Sequence, residues 1–286
     1  MIVLKSPQSH TIKQTHTIDW KHGQIVLDVW QPKASSGNIP ILLLHGWGNT
    51  GTYWQETARA LSETVPVIVP DLPGTGRSQP VGKAQNLFEQ VENIQFILDS
   101  LKVDAVQVVG HSMGGAMAVL VAGEQPERVK KLVLTSVTFF KTQEQVEFYK
   151  GLIRFFDVSM RFRPNWLEHL PGLTNMLASQ YFYRLPDDPA VLKQGLRDYL
   201  SLHAGTAIAS AKNATDPRIR EAGHKVTAPT LMVVARQDNM MPKENVQFTA
   251  DIIGDCEVRW IEECGHMPMI EKPDEYLAIL QDFLAL

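Results

Sequence analysis

Cysteine is scarce in this 286-residue sequence, which contains only Cys256 and Cys264. Two thiols cannot build the disulfide framework of a small secreted domain, and their spacing matches no Cys/His metal pattern. His45 and His111 do not supply one either, because neither belongs to an H-x-x-x-H pair. We therefore expect a reducing compartment, two free thiols and no metal site.

Dense basic runs and long apolar runs are also missing. The 27 basic and 31 acidic residues give a net charge of -4, with no Lys/Arg cluster of the kind that binds nucleic acid. No apolar window has the length of a transmembrane helix. Lys5 and Pro7 interrupt the apolar residues at the start, so the start lacks the continuous apolar region of a signal peptide. We expect a cytoplasmic protein with no nucleic-acid partner and no stable membrane insertion.

Short runs of Val, Ile and Leu recur along the chain and end in glycine or polar residues: IPILLLHG, VPVIVPDLPG, AVQVVGHS, KKLVLTSV and APTLMVVARQD. Such continuous runs are typical of parallel strands buried on both faces. Helix-like segments separate them, and this alternation predicts a doubly wound, mostly parallel α/β sheet. Two alternating runs around KHG, residues 21–23, add an antiparallel strand pair at one edge.

One interval, residues 139–212, contains helical patterns and prolines but no buried-strand run. We interpret it as an inserted helical cap, or lid, on a core domain made of residues 1–138 and 213–286. The strand pattern resumes at APTLMVV.

The segment GHSMGG, residues 110–115, follows the strand-like run AVQVV and precedes a helical pattern. Its G-x-S-x-G spacing allows a turn so tight that the Ser112 side chain points out of the sheet. A helix starting at Gly114 would aim its amino-terminal end at Ser112 and favour negative charge there. Because strand, pentapeptide and helix occur in this order, we interpret Ser112 as a nucleophile rather than as part of a chance Gly/Ser turn.

A serine nucleophile needs a base, and the base needs an acid to orient it. Asp238 follows the strand run LMVVARQ, and His266 follows the run EVRWIEE, so both are expected where parallel strands end. The chain order Ser112, Asp238, His266 matches the order found with a nucleophile elbow. Asp238 alone could be a turn residue and His266 a loop histidine, but the three together predict a catalytic triad.

A developing oxyanion needs hydrogen-bond donors, and we predict the backbone N–H groups of Trp47 and Met113. Gly46 and Gly48 allow the loop around Trp47 to turn inward. The segment DLPGTGRS, residues 71–78, lacks the G-K-[ST] of a phosphate loop, so we interpret it as a structural turn.

These motifs together resemble the α/β-hydrolase superfamily, in its esterase, lipase and carbon–carbon hydrolase branch with a helical cap. The resemblance spans most of the chain: HGWG at 45, DLPGTGRS at 71, GHSMGG at 110, ARQDNMMP at 235 and GHMPMIEKP at 265. It implies a Ser112–His266–Asp238 triad and no cofactor. It disfavours haloalkane dehalogenases and epoxide hydrolases, which have an aspartate where Ser112 stands, and it implies no particular substrate.

The predicted cap holds twelve of the twenty-three aromatic residues. Some pack within the cap, but so many predict an apolar chamber above Ser112. This region also contains Arg154, Arg161, Arg163 and Arg184. These arginines are either ligands of an anionic headgroup or part of a solvated helix face. Together with the aromatic residues they permit transient contact with a lipid surface. The residues that we expect to contact substrate are Trp47, His111, Phe139, Phe155, Phe156 and Met240.

The leading hypothesis is therefore a serine hydrolase that cleaves a carboxylic ester of a small hydrophobic molecule or lipid. The nearest enzymatic alternative is hydrolysis of a carbon–carbon bond in a diketone-like compound. An alternative from another class is a receptor that keeps the triad but mainly senses a small apolar ligand.

Overall fold

A computed structural model of the protein describes residues 11–33, 37–161, 163 and 172–286. Its centre is an eight-stranded sheet with the order β1-β2-β4-β3-β5-β6-β7-β8. The strands are β1 (Thr11–Trp20), β2 (Gly23–Pro32), β3 (Ile41–Leu44), β4 (Val67–Pro70), β5 (Val106–His111), β6 (Val129–Thr135), β7 (Thr230–Ala235) and β8 (Cys256–Ile261).

Strands β3 to β8 are parallel to one another. The first five of them are the Val/Ile/Leu runs of the sequence, and β8 overlaps the run EVRWIEE. All residues of β3, β4, β5 and β7 are buried, which explains why these runs show no alternation. Strands β1 and β2 form an antiparallel hairpin, and β2 pairs antiparallel with β4. The predicted mostly parallel sheet and its antiparallel strand pair at one edge are confirmed.

Eleven α-helices lie within the described residues. They are α1 (Gln55–Leu61), α2 (Leu87–Ser100), α3 (Met113–Glu124), α4 (Gln143–Arg161), α5 (Leu173–Ala178), α6 (Pro189–Ser201), α7 (Ala204–Lys212), α8 (Pro217–Gly223), α9 (Val246–Ile253), α10 (Pro268–Glu271) and α11 (Pro273–Leu284). Helices α2, α3, α8 and α9 share one apolar cluster with one face of the sheet, and α1 and α11 share another with the opposite face. The core therefore has the doubly wound arrangement that the sequence predicts.

Helices α4 to α8 all lie between β6 and β7, and no strand interrupts them among the residues that the structure describes there. Helix α8 packs on α3 of the core: a Cβ added to Gly123 would lie 2.5 Å from the carbonyl oxygen of Ala222. Two of these helices begin with an Asp-Pro pair whose aspartate accepts a backbone N–H, at Asp188 and Asp216. None of the described helices is long and apolar enough to cross a bilayer.

Candidate active site

Ser112 occupies a sharp turn between β5 and α3. Its backbone has φ 53° and ψ −120°, an unfavourable conformation for a residue with a side chain. Two glycines make the turn possible, because a Cβ on Gly110 would lie 2.4 Å from the carbonyl oxygen of Gly114, and a Cβ on Gly114 would lie 2.4 Å from that of Leu44. Helix α3 begins at Met113, one residue earlier than expected, so its amino-terminal end lies directly beside Ser112.

Asp238 and His266 are brought together from the ends of β7 and β8. The Nδ1 atom of His266 lies 2.8 Å from Oδ2 of Asp238, and both side chains are buried. Oδ1 of Asp238 accepts the N–H groups of Met240 and Met241, at 2.8 and 3.2 Å. Burial raises the pKa of Asp238, but the His266 ring and these N–H groups lower it more, so that the pKa lies below its ordinary value of 3.8.

The tautomer of His266 follows from this contact. An ionised carboxylate only accepts hydrogen bonds, so Nδ1 of the ring carries a hydrogen in this contact, and in the neutral ring the lone pair is on Nε2. Ser112 and His266 line the same cavity. Among the described residues the Ser112 hydroxyl makes no hydrogen bond, so the shared cavity is what relates the serine to the Asp238–His266 pair.

The loop after β3 lies against the serine turn. A Cβ on Gly46 would lie 3.2 Å from the Cβ of Ser112, so the two backbones nearly touch. Trp47 and Met113 both line the cavity with Ser112. The indole N–H of Trp47 donates to the carbonyl of Ala207 in α7, at 2.8 Å, and thereby fixes the loop from the opposite side.

The segment at residues 71–78 is a turn that packs against the loop after β3. The Asp71 carboxylate accepts the N–H of Gly51 at 2.9 Å and, on its other oxygen, both the backbone N–H and Nε of Arg77. A Cβ on Gly76 would lie 2.6 Å from this carboxylate, and the residue has φ +43°. The glycines of DLPGTGRS thus allow the chain to wrap around an aspartate.

His111 lies in the middle of a hydrogen-bond chain. Its Nε2 lies 2.9 Å from the backbone carbonyl of His266 and its Nδ1 lies 2.9 Å from the Tyr53 hydroxyl, which accepts the N–H of Gly46. A carbonyl only accepts, so Nε2 carries the hydrogen and Nδ1 accepts from Tyr53. Burial, with the nearby His266 ring, lowers the pKa of His111 to about 3, which keeps the ring neutral.

The sequence predicts that His111 contacts substrate. Its ring does line the cavity, but both of its nitrogens are bound to protein atoms, so the ring joins the Gly46 loop to the backbone of His266. Sequence reasoning missed Tyr53, because a tyrosine in the segment GTYW carries no pattern that marks its hydroxyl as part of this chain.

A cavity of about 860 Å³ opens above Ser112. Of the six residues expected to contact substrate, Trp47, His111, Phe139 and Met240 line it, and the side chains of Phe155 and Phe156 lie outside the described part of the structure. Sequence reasoning missed further apolar lining residues, because neither the helical pattern of α4 nor the segment before α6 shows which side chains line the cavity: Tyr149, Leu152, Ile153 and Tyr181. These side chains give the cavity aromatic and aliphatic surface, and polar and charged side chains line it as well.

The four arginines that the sequence suggests as headgroup ligands differ in their surroundings, and Arg154 is exposed on α4. Arg163 donates to the backbone carbonyls of Met160, Tyr199 and Leu202, two of them at the carboxyl-terminal end of α6. Arg161 pairs with Asp157, and Arg184 pairs with Glu263, both at the surface. These contacts favour a structural role for Arg163 and a solvated one for Arg161 and Arg184.

No group of three or more His, Cys, Asp or Glu side chains is placed to hold a metal ion among the described residues. Cys256 and Cys264 are both free thiols.

Comparison with known proteins gives consistent matches. Residues 39–273 match the family model described as the alpha/beta hydrolase fold. A pimeloyl-[acyl-carrier protein] methyl ester esterase of Nitrosospira multiformis is 25% identical, over 91% of this chain and 99% of its own. A 2-hydroxymuconate semialdehyde hydrolase of a Pseudomonas species is 28% identical, over 88% of each chain. Among solved structures, a bacterial membrane phospholipase A superposes with a TM-score of 0.74 at 26% identity, covering 96% of this chain and 86% of its own.

Proposed function

The chain belongs to the α/β-hydrolase family, and from that premise we propose that it is a serine hydrolase of carboxylic esters with a hydrophobic acyl or alcohol part. The observation that carries the proposal is that three features occur at the same cavity. They are the strained turn at Ser112, the 2.8 Å contact between His266 and an ionised Asp238, and an apolar wall.

The reaction that we propose has two halves. In the first, Oγ of Ser112 attacks the ester carbonyl carbon, Nε2 of His266 takes the hydroxyl proton, and the imidazolium returns it to the departing alkoxide. In the second, water loses a proton to Nε2 and attacks the acyl-enzyme carbonyl, and the imidazolium returns that proton to Oγ of Ser112 as the bond to the acyl group breaks and the acid leaves. Asp238 holds the ring and stabilises its charged form, and the N–H groups of Trp47 and Met113 stabilise the oxyanion.

The cavity supports a hydrophobic substrate. Its volume of about 860 Å³ suits a small molecule rather than a polymer, since ligand pockets span roughly 300–1,000 Å³. Tyr149, Ile153 and Tyr181 supply apolar surface that an acyl chain can cover. The similar esterase of Nitrosospira multiformis acts, by its name, on a methyl ester.

Carbon–carbon bond hydrolysis is the second candidate, and one observation favours it. The 2-hydroxymuconate semialdehyde hydrolase matches this chain at 28% identity over 88% of its length, which is no weaker than the match to the esterase. Side-by-side assays of an ester and of a diketone-like compound separate the two candidates.

We also propose that residues 139–212 form a cap over the cavity. Helix α4 supplies cavity-lining side chains that are open to solvent, with Phe148 70% and Leu152 41% exposed. An apolar rim of this kind supports transient contact with a lipid surface. Liposome flotation tests that contact, and protein that stays entirely in the aqueous fraction would rule it out.

The decisive experiment compares wild type, Ser112→Ala and Ser100→Ala on p-nitrophenyl esters of increasing acyl length. Ser100 is exposed, and its hydroxyl donates only to the carbonyl of Phe96 among described groups, which makes it a matched control. We expect Ser112→Ala to lose roughly 10⁴-fold or more in kcat and to lose fluorophosphonate labelling, with Ser100→Ala unchanged. Near-normal turnover by purified Ser112→Ala would refute the proposed function.

A further inference from the structure

The loop that carries His266 is covered by a segment of the cap, residues 181–184, which connects α5 to α6. The two backbones are in direct contact at Gly265. A Cβ added there would lie 2.6 Å from the nitrogen of Tyr183 and 2.7 Å from the carbonyl oxygen of Tyr181. No residue larger than glycine fits at position 265 while segment 181–184 is in this place.

Hydrogen bonds join the same two backbones. The N–H of His266 donates to the carbonyl of Tyr181 at 2.6 Å. The carboxylate of Glu271, the last residue of α10, bridges them a second time. Its Oε1 accepts the N–H of Gly265 at 2.8 Å, and its Oε2 accepts the N–H groups of Tyr183 and Arg184 at 2.8 and 3.1 Å.

The environment of Glu271 is unusual for a carboxylate. Among the described residues no Lys or Arg side chain forms an ion pair with Glu271, and the Arg184 guanidinium pairs with Glu263 instead. The other polar neighbours of Glu271 are the backbone of Met267 and the Cys264 thiol, which lies 4.0 Å away. Burial raises the pKa of Glu271 despite the N–H groups that it accepts. A half-buried carboxylate held only by backbone N–H groups requires those groups to stay where they are.

We propose that Glu271 is a positioning residue, whose carboxylate holds cap segment 181–184 on the His266 loop and so sets the orientation of His266 toward Ser112. This inference rests on the proposed function, because it assumes that His266 activates Ser112. The base is then held from two sides, with its backbone N–H bound to the cap and its carbonyl bound to His111 of the core.

The test uses the full-length Glu271→Gln variant, with Glu275→Gln as control. The control makes the same change of charge at an exposed residue of α11, only four positions away. In Glu271→Gln one carboxylate oxygen becomes an NH₂ group, which cannot accept the N–H that faces it. Glu271→Asp keeps the charge on a side chain one methylene shorter and serves as the conservative variant.

Two quantities are measured on native protein, with folding checked by circular dichroism. Hydrogen exchange reports the amides of Gly265, Tyr183 and Arg184 and does not depend on any substrate. The second-order rate constant for fluorophosphonate labelling of Ser112 reports its activation by His266. We expect Glu271→Gln to speed exchange at these amides and to slow labelling by tenfold to about a hundredfold, with Glu271→Asp intermediate and Glu275→Gln unchanged.

Other results overturn the proposal. Unchanged hydrogen exchange in Glu271→Gln means that the carboxylate does not hold segment 181–184. Faster exchange with an unchanged labelling rate means that the contact between the segment and the His266 loop is structural and does not orient His266. An equal effect of Glu275→Gln assigns the change to net charge. If wild type itself is not labelled, the proposed function fails, whereas labelled wild type with an unaffected Glu271→Gln refutes this inference alone. If Glu271→Gln does not fold, Glu271→Asp decides by the same criteria.

Discussion

Apolar residues differ in their exposure between the sheet core and the proposed cap, residues 139–212. In the core, β3, β5 and β7 bury every residue, and large side chains such as Trp54 and Tyr276 are completely enclosed. In the cap, Phe148 is 70% and Leu152 41% exposed, and both line the cavity. Its described buried apolar side chains are fewer and include a small cluster of Met160, Leu202 and Ala207. Apolar surface in the core therefore stabilises the fold, whereas much of that in the cap faces the cavity or its rim.

The two regions also meet at particular places. The cap contacts the loop after β3 through Trp47, whose indole donates to Ala207, and through Thr50, whose hydroxyl donates to Asp198 at 2.9 Å. It contacts the loop after β8 through the carbonyl of Tyr181, which accepts the N–H of His266, and through the N–H of Tyr183, which donates to Glu271 of α10. The core thus supplies the proposed chemical groups, and the cap restrains two of the loops that carry them.

The largest effect expected from a core change is on turnover. Asp238→Asn should reduce kcat by about 10⁴-fold with little change in KM, because an amide at this position favours the wrong tautomer of His266. Steady-state kinetics on the preferred ester measures it, and Asp104→Asn at an exposed position is the control. A loss below tenfold would mean that another carboxylate orients the ring.

Glycine substitutions compare the two regions in stability. Gly114→Ala should destabilise the protein by about 3 kcal/mol or more, because its Cβ would lie 2.4 Å from the carbonyl oxygen of Leu44, a backbone atom that cannot move aside. Chemical denaturation of the purified variant measures the change. A variant as stable as wild type would show that the turn relaxes more easily than its packing indicates.

A smaller effect is expected for His111→Gln, about 1–2 kcal/mol at neutral pH from weakened hydrogen bonds. The folded pKa of about 3 lies below the unfolded value of 6.5, so between these values only the unfolded chain takes up a proton at this residue. Wild type therefore loses stability at this residue as the pH falls from 6.5 toward 3, and the variant does not. Denaturation at several pH values should show the difference between the two proteins shrinking on acidification, and a constant difference would contradict a buried neutral His111.

The smallest effect is expected in the cap, with the opposite sign. Gly151 lies inside α4, and a Cβ there would meet nothing within 4 Å. Gly151→Ala should stabilise the helix by about 0.5–1 kcal/mol, because alanine has less backbone freedom to lose on folding. A small rise in Tm with unchanged kcat would support this difference from Gly114, and a fall in Tm would show that Gly151 is closely packed.

Much of the core could be predicted because its signals are local. The five Val/Ile/Leu runs predicted β3 to β7, the run EVRWIEE predicted β8, and the glycines around Ser112 predicted the turn. Asp238 and His266 were identified because each follows a recognisable strand, and the structure does bring these two side chains into contact.

The chain through Tyr53 and His111 could not be predicted, because its members lie far apart in the sequence and no spacing rule connects them. Glu271 and Tyr181 were missed for the same reason, since a backbone carbonyl can be supplied by any residue type. The cap is inferred from the sequence only because residues 139–212 lack a strand pattern, and it stays a proposal. Which of its helical faces turn toward Ser112 depends on tertiary packing that a helical pattern does not encode.

The two hydrogen bonds on the backbone of His266 also bear on how the protein responds to heat. One bond goes to His111 in the buried sheet, and the other goes to Tyr181 in a segment whose neighbours Tyr183 and Arg184 are exposed. Exposed segments open locally at lower free energy than the strands of a buried sheet. Inactivation on warming would therefore begin with this segment while the sheet is still folded. The half-life of activity would then report how fast the contact between segment 181–184 and the His266 loop opens, rather than how fast the whole protein unfolds.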